Sequence, residues 1–341
     1  MTRVLLTGGS GFIAAHVLEV LLQRGHSVVT TVRSQDKAQK IKEAHSKYGK
    51  DKLDFAIVED IAQPNAFDEA VISDPPFEAV IHTASPFHFN ITDVKKDLLD
   101  PAIIGTTGIL KAVKASAPTV KRVVITSSFA AIVNPAQGLW PGHTYSEADW
   151  NPITESEATE NASNGYRASK TFAERAAWDF VSTEKPNFTL ATCNPPFVFG
   201  PIVHYLNSLS ALNTSNQRIR DIMTGAMKEK LGPTGMYLWV DVRDLALAHV
   251  KAVEVEEAAG KRFFLTAGKF ANVEVVEIIK DAFPDLADKL PNGEALKEGE
   301  MPKEEMFSYD NSRSKEVLGV TYRSLKECVV DTVKSLQAVG G

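Results

Sequence analysis

Tyr166 and Lys170 stand four residues apart in Tyr166-Arg167-Ala168-Ser169-Lys170, a spacing that puts a phenol and an amine side by side on one helix face. A phenol titrates at about 10, too high for easy proton exchange at neutral pH, and a neighbouring ammonium favours the phenolate. As an isolated match, Tyr-x-x-x-Lys is more often a surface helix pair. Ser127 and Ser128, at the end of Val123-Val124-Ile125-Thr126, change that weighting by bringing hydroxyls to the end of a β-branched run. Alternation along a strand lets only one of the two face a given side, and leaves open which. A hydroxyl to polarise a carbonyl, a phenol to supply a proton and an amine to tune the phenol form a set for carbonyl chemistry.

A second chemical signal lies near the N-terminus. Thr7-Gly8-Gly9-Ser10-Gly11-Phe12-Ile13-Ala14 follows the apolar run Val4-Leu5-Leu6 and opens an amphipathic stretch that ends at Gly25. Strand, glycine turn and helix in this order let backbone approach a pyrophosphate while the helix N-terminus offers free amides. Ala14 replaces the third glycine, at a position that mainly governs helix packing. The second run, Ser27 to Val32, ends in Arg33 rather than in the carboxylate that would bind ribose hydroxyls of NAD. Arg33, with Lys37 one turn later, suits a 2′-phosphate, so NADPH is expected over NADH. The plainer reading is a solvated basic pair partly cancelled by Asp36. Asp60, after the third run, is placed to meet an adenine amine or simply to form a turn.

These groups need a frame. Further short apolar runs at Phe55 to Val58, Ala79 to Ile81, Val123 to Ile125 and Thr189 to Ala191 alternate with helical patterns, which argues for an α/β, Rossmann-like, doubly wound parallel sheet. In that fold ligands bind at the carboxyl edge, where His82-Thr83-Ala84-Ser85-Pro86 and Thr126-Ser127-Ser128 both end. After Asn194-Pro195-Pro196 the pattern loosens. We expect a dinucleotide-binding domain over 1–193, to which 237–266 returns as a helix and a strand, and a smaller discontinuous substrate lobe over 194–236 and 267–341.

The 341 residues, with 44% hydrophobic and 23% charged, fit a soluble globular protein with a large core. A net charge of −6 without charge blocks argues against nucleic acid or an anionic membrane as partner. No apolar run is long enough for a membrane span, and the start lacks a signal-peptide layout, so a cytoplasmic location is expected. Cys193 and Cys328 are too few for a disulfide framework, and the histidines show no metal-ligand spacing; no metal is expected. Asp241 and Asp244 precede Leu245-Ala246-Leu247-Ala248 and read as helix-start caps.

Taken together, the glycine turn, His82-Thr83-Ala84-Ser85-Pro86, Thr126-Ser127-Ser128, Tyr166 with Lys170, and Asn194-Pro195 resemble the extended short-chain dehydrogenases/reductases. Ala84-Ser85-Pro86-Phe87, Asp97-Leu98-Leu99, Phe172 to Trp178 and Asp241-Val242-Arg243-Asp244 are similar to the branch of methylglyoxal, carbonyl and aldehyde reductases, near the dihydroflavonol reductases. The resemblance implies Ser128 rather than Ser127 as catalytic serine, with Tyr166 as acid and Lys170 as its partner and ribose holder. It further implies NADPH contacts from Thr7, Gly8, Ser10, Gly11, Phe12 and Ile13, from Arg33, Lys37, Asp60 and Ile61, from Thr83, Ala84 and Ser85, and from Tyr166, Lys170, Pro195 and Val198.

The expected activity is NADPH-dependent reduction of ketones or aldehydes to alcohols by a monomer or homodimer acting on a small carbonyl compound. A nucleotide-sugar epimerase or dehydratase shares the Ser, Tyr and Lys set, and a redox-sensing regulator would keep the dinucleotide site without needing the proton-transfer set. Phe87, Phe129 and Phe197 each follow a segment at the carboxyl edge and are expected to line the substrate cleft, the alternative for each being the core.

Overall fold

The structure is a computed structural model that describes residues 1–85, 92–203 and 212–340. The first half alternates strand and helix: β1 (Arg3–Thr7), α1 (Phe12–Gln23), β2 (Ser27–Val32), α2 (Gln35–Ala44), β3 (Leu53–Ile57), β4 (Ala79–His82), α3 (Asp100–Ser116), β5 (Arg122–Thr126), β6 (Thr144–Tyr145), α4 (Glu155–Ala158), α5 (Ala162–Glu184) and β7 (Thr189–Asn194). The remainder comprises β8 (Phe197–Phe199), α6 (Thr214–Thr224), β9 (Leu238–Asp241), α7 (Val242–Glu254), β10 (Lys261–Phe264), β11 (Gly268–Lys269), α8 (Asn272–Ala282), β12 (Ser308–Tyr309), α9 (Ser312–Leu318) and α10 (Leu325–Gly340).

Seven parallel strands form the main sheet in the order β10-β7-β5-β4-β1-β2-β3. The chain winds outward from β1 through β2 to β3, then returns to the other side of β1 at β4. That reversal opens a crevice at the carboxyl ends of β1 and β4, where both ends carry the motifs singled out above. The strands read as continuous apolar runs because both faces are covered. Val4, Leu6, Ile81 and Val124 pack toward α1 and α7. Their neighbours Leu5, Val80, Val123 and Ile125 pack with Ile109, Leu110 and Val113 of α3 and Ala177 of α5. Leu5 and Leu6 are fully buried, each contributing about 1.5 to 3 kcal/mol.

A second core gathers Phe199, Ile219, Ile222, Val275, Ile279, Val329 and Val333 from β8, α6, α8 and α10. The segment 237–266 divides: α7 covers the main sheet and β10 joins its edge beside β7, whereas β9 pairs with β8 and β11 in a separate three-stranded sheet. The helix and the strand expected from this segment are α7 and β10, and β9 is an additional strand outside the main sheet. Asp241 caps α7 by accepting from the Arg243 amide at 2.8 Å, as expected. Asp244 instead lies buried in an ion pair with Arg323, while Arg243 binds Asp331 at 2.7 Å, so α7 and α10 are tied together.

Candidate active site

The glycine turn is shaped by what it touches. Gly8 has φ +79°, and a Cβ there would stand 3.0 Å from the Ala84 backbone. A Cβ on Gly9 would meet Thr30 Oγ1 at 2.1 Å, so β1, β2 and β4 close around the turn only without side chains. Helix α1 has Gly11 as its N-cap, which offers no side-chain bond, and no acidic residue in its first turn. Its first amides and the positive end of its dipole are thus left for an anion. Thr7 is fully buried below this turn; its Oγ1 accepts from the Ala84 amide at 3.1 Å and lies 2.9 Å from His82 Nδ1. Its side chain joins the turn to β4.

A cleft of about 550 Å³ runs from this turn across the edge of the main sheet to the second lobe. Gly8, Gly11, Phe12 and Ile13 line one end, Thr83 and Ser85 the floor, and Ser128, Tyr166 and Lys170 the middle. Pro195, Phe197 and Val198, with Asn213, Thr214, Ser215 and Met236, form the far wall. This cradle fits a dinucleotide: a bare helix N-terminus for the pyrophosphate, then polar groups grouped beyond it. Ser10 is half-buried beside the turn.

Arg33 and Lys37 are exposed at the end of β2 and the start of α2. Asp36, expected to cancel them, pairs with Lys40 at 2.7 Å. Asp60 accepts from Gln63 Nε2 at 2.8 Å and from the Ala62 amide at 2.9 Å. These bonds hold its carboxyl below the usual range, with a smaller contribution from the Arg33 guanidinium. Both readings of Asp60 thus remain compatible with its place, at a turn and next to Arg33. Ile61 packs against Gly105 of α3 and lines, with Ala84, a separate water-sized cavity of about 20 Å³ beneath Lys170.

The three groups of the proton-transfer set converge. Ser128 caps the turn 129–131, accepting from the Ala130 amide at 3.1 Å, and is hydrogen-bonded to Tyr166. Tyr166 and Lys170 sit one turn apart on α5, with Nζ 5.9 Å from the phenol ring centre. Lys170 donates to Ser85 Oγ at 2.8 Å. Burial disfavours each charged form: it lifts the Tyr166 phenol above its usual value, against a smaller downward pull from Ser128, and pushes the Lys170 ammonium down to about 8. The tuning of Tyr166 by Lys170 is thus opposed by desolvation, which keeps the phenol protonated and able to donate.

The choice between the adjacent serines follows from their neighbours. Both serines line the cleft, but Ser127 is buried and commits its hydroxyl to Glu174 Oε2 at 2.5 Å, whereas Ser128 is paired with Tyr166. Glu174, which belongs to none of the chemical motifs in the sequence, is 1% exposed and also receives Asn194 Nδ2 at 2.6 Å and Arg262 Nε at 2.7 Å. The signal that marks it is spacing: 166, 170 and 174 repeat every four residues along one face of α5.

The aromatic residues separate. Phe197 lines the cleft, with Arg218 over its ring at 4.8 Å. Phe129 does not: it is fully buried, stacked on Phe264 at 5.0 Å and edge-on to Tyr145 at 5.3 Å. The turn that Ser128 caps folds the next side chain inward, which corrects the expectation. Phe87 lies outside the described residues. Among the described residues no cluster suited to a metal ion occurs.

A parallel sheet with a glycine turn on its first strand, a serine at the end of β5 and a tyrosine-lysine pair on the following long helix define an extended short-chain dehydrogenase/reductase. The chain belongs to the NAD dependent epimerase/dehydratase family, whose model matches residues 4–265. It is 49% identical over 337 residues to the ketoreductase azaE of Aspergillus niger, covering 98% of this chain and 97% of that one. Among solved structures, Gre2 of Candida albicans in complex with NADPH matches with a TM-score of 0.89 and 37% identity over 100% of both chains. The yeast methylglyoxal/isovaleraldehyde reductase Gre2 complexed with NADPH matches with the same TM-score of 0.89, at 34% identity over 98% of each chain.

Proposed function

We propose that this chain reduces small ketones and aldehydes to alcohols with NADPH. The observation that carries the reading is the meeting of Ser128, Tyr166 and Lys170 in one cleft with the bare N-terminus of α1. NADPH, when bound, supplies the hydride. The turn Gly8 to Ile13 and the first amides of α1 would hold its pyrophosphate, with Pro195 and Val198 across the cleft and Lys170 at the ribose. Arg33 and Lys37 would meet the 2′-phosphate, and Asp60 the adenine. Ser128 polarises the carbonyl with its hydroxyl proton, since its oxygen already accepts from Ala130. Tyr166, held protonated by burial, delivers the proton to the carbonyl oxygen.

The mainly apolar far wall around Phe197, Val198 and Met236 favours a small uncharged carbonyl compound over a sugar nucleotide, which needs a second diphosphate site. In this reading 1–193 with α7 and β10 carries the cofactor, and the lobe built on β8, β9 and β11 carries the substrate. We place the enzyme in the cytoplasm, as a monomer or homodimer without nucleic acid; its two buried, unpaired thiols suit a reducing compartment, and no helix among the described residues is long and apolar enough to cross a membrane. Turnover of NADPH with a panel of small carbonyls, run beside nucleotide sugars, tests the reading. Alcohol formation supports it; conversion of nucleotide sugars alone would replace it with the epimerase reading.

A further inference from the structure

Helix α5 carries Tyr166, Lys170 and Glu174 at successive four-residue steps, yet only the first two reach the cleft. Glu174 points toward the strands instead, where its carboxylate gathers donors from the end of β5, from β7, from β10 and from its own helix. Oε2 receives Ser127 Oγ at 2.5 Å and Asn194 Nδ2 at 2.6 Å. Oε1 receives Arg262 Nε at 2.7 Å, with Thr192 Oγ1 at 3.0 Å and Trp178 Nε1 at 3.3 Å. Arg262 is fixed in turn by the carbonyls of Glu147 and Asp149, each at 2.7 Å, and lies over the Trp150 ring at 3.7 Å.

Two of these bonds bracket the serine of the reaction. The ladder between β5 and β7 continues past Thr126 through Ser127 N to Cys193 O and Phe129 N to Pro195 O, both at 2.8 Å. Between those rungs the Ser128 carbonyl accepts from Asn194 Nδ2 at 3.2 Å, the same amide that binds Glu174. With Ser127 drawn inward by Glu174 and the backbone at Ser128 extended at φ −159° and ψ 156°, alternation sends the Ser128 hydroxyl outward to Tyr166. Helix α5 has its own anchorage on α3 and through buried Ala168, Ala173 and Ala177, so its position does not rest on Glu174.

We infer that Glu174 is a positioning residue for Ser128, acting through Ser127 and Asn194 to hold the serine hydroxyl at the carbonyl and at Tyr166. The inference rests on the reductase reading of the site. Removing the negative charge leaves Arg262 unpaired and turns an amide toward Ser127 and Asn194, so the strand end relaxes and the hydroxyl is misplaced; an error of about 1 Å costs on the order of a hundredfold in rate.

A double-mutant cycle between Glu174→Gln and Ser128→Ala tests this, read as turnover at saturating NADPH and carbonyl compound, with NADPH affinity and melting temperature measured in parallel. Glu174→Gln is expected to lower turnover by at least about tenfold in the otherwise native protein, but by less than about threefold once Ser128 is already alanine. A merely structural role would give equal losses in both backgrounds, and that result, or native turnover in Glu174→Gln, overturns the inference. Should Glu174→Gln fail to fold, Ser127→Ala takes its place in the same cycle, since it removes one arm and keeps the Arg262 pair. Native turnover in Ser128→Ala alone would overturn the role of Ser128 and this inference with it, whereas equal losses overturn this inference only.

Discussion

The hydroxyl of Ser128 and the phenol of Tyr166 are hydrogen-bonded to each other across the middle of the cleft, although 38 residues separate them in the chain. Parallel β5 and the crossover helix α5 create that meeting, and it orders the consequences of changing either residue.

Ser128→Ala removes the hydroxyl that faces the cleft and leaves the Glu174 network intact. Turnover is expected to fall more than in Ser127→Ala, whose hydroxyl is buried against Glu174. Ser127→Ala in turn is expected to lower the melting temperature more, because a charge-assisted bond inside the core is lost. Steady-state kinetics and thermal unfolding of the two variants check the order; the reverse pattern would reassign the serine.

Arg33→Ala is expected to weaken NADPH by roughly ten- to a hundredfold and NADH much less, since only NADPH carries the 2′-phosphate. Fluorescence titration with both cofactors measures this. Equal weakening of the two would confine Arg33 to stacking on adenine.

Phe129→Ala is expected to cost about 3 to 5 kcal/mol of stability, because a fully buried ring leaves a cavity between Phe264 and Tyr145. Phe197→Ala opens the cleft wall and is expected to admit bulkier ketones and to change the ratio of product enantiomers. Denaturant unfolding and chiral analysis of the alcohol separate the two effects.

Lys170 gives a pH signature. Its ammonium is depressed to about 8 in the folded chain against about 10.4 when unfolded, so the unfolded state binds more protons in between. The contribution of Lys170 to stability therefore rises with pH from about 8 to about 10, and the stability difference between the native protein and Lys170→Met should shift in that sense. For the reductase, kcat/KM is expected to decline as pH rises through about 8, as the charge proposed to hold the ribose is lost. A profile flat across that range would remove Lys170 charge from the rate.

Much of the cofactor half was legible because its signals are local. The turn from Thr7 to Ala14 sits between a run buried on both faces and a helix closed by Gly25, and each cue depends on residues within one element. The second lobe was harder to read: β8, β9 and β11 are two to four residues long, and β9 pairs with strands on both sides of it in the chain, so neither periodicity nor length marks it. For Phe129, adjacency to Ser128 at the carboxyl edge does not fix the direction of the side chain: the chain winds into a 3-10 turn there, which packs the ring on Phe264 and Tyr145. Glu174 escaped notice because a glutamate on a helix is ordinarily solvated; only the convergence of Ser127, Asn194 and Arg262 from three strands or strand ends makes it a core residue.

Tyr166→Phe reaches the central claim most directly, because it deletes the proposed proton donor and keeps the ring. NADPH consumption by native and variant protein is followed with the same small ketone, alongside NADPH affinity. The native protein is expected to form one alcohol per NADPH, and the variant to bind NADPH normally while turnover drops by roughly 10² to 10⁴. Near-native turnover in the folded variant, or no consumption of NADPH by the native protein with any carbonyl tried, would contradict the assignment.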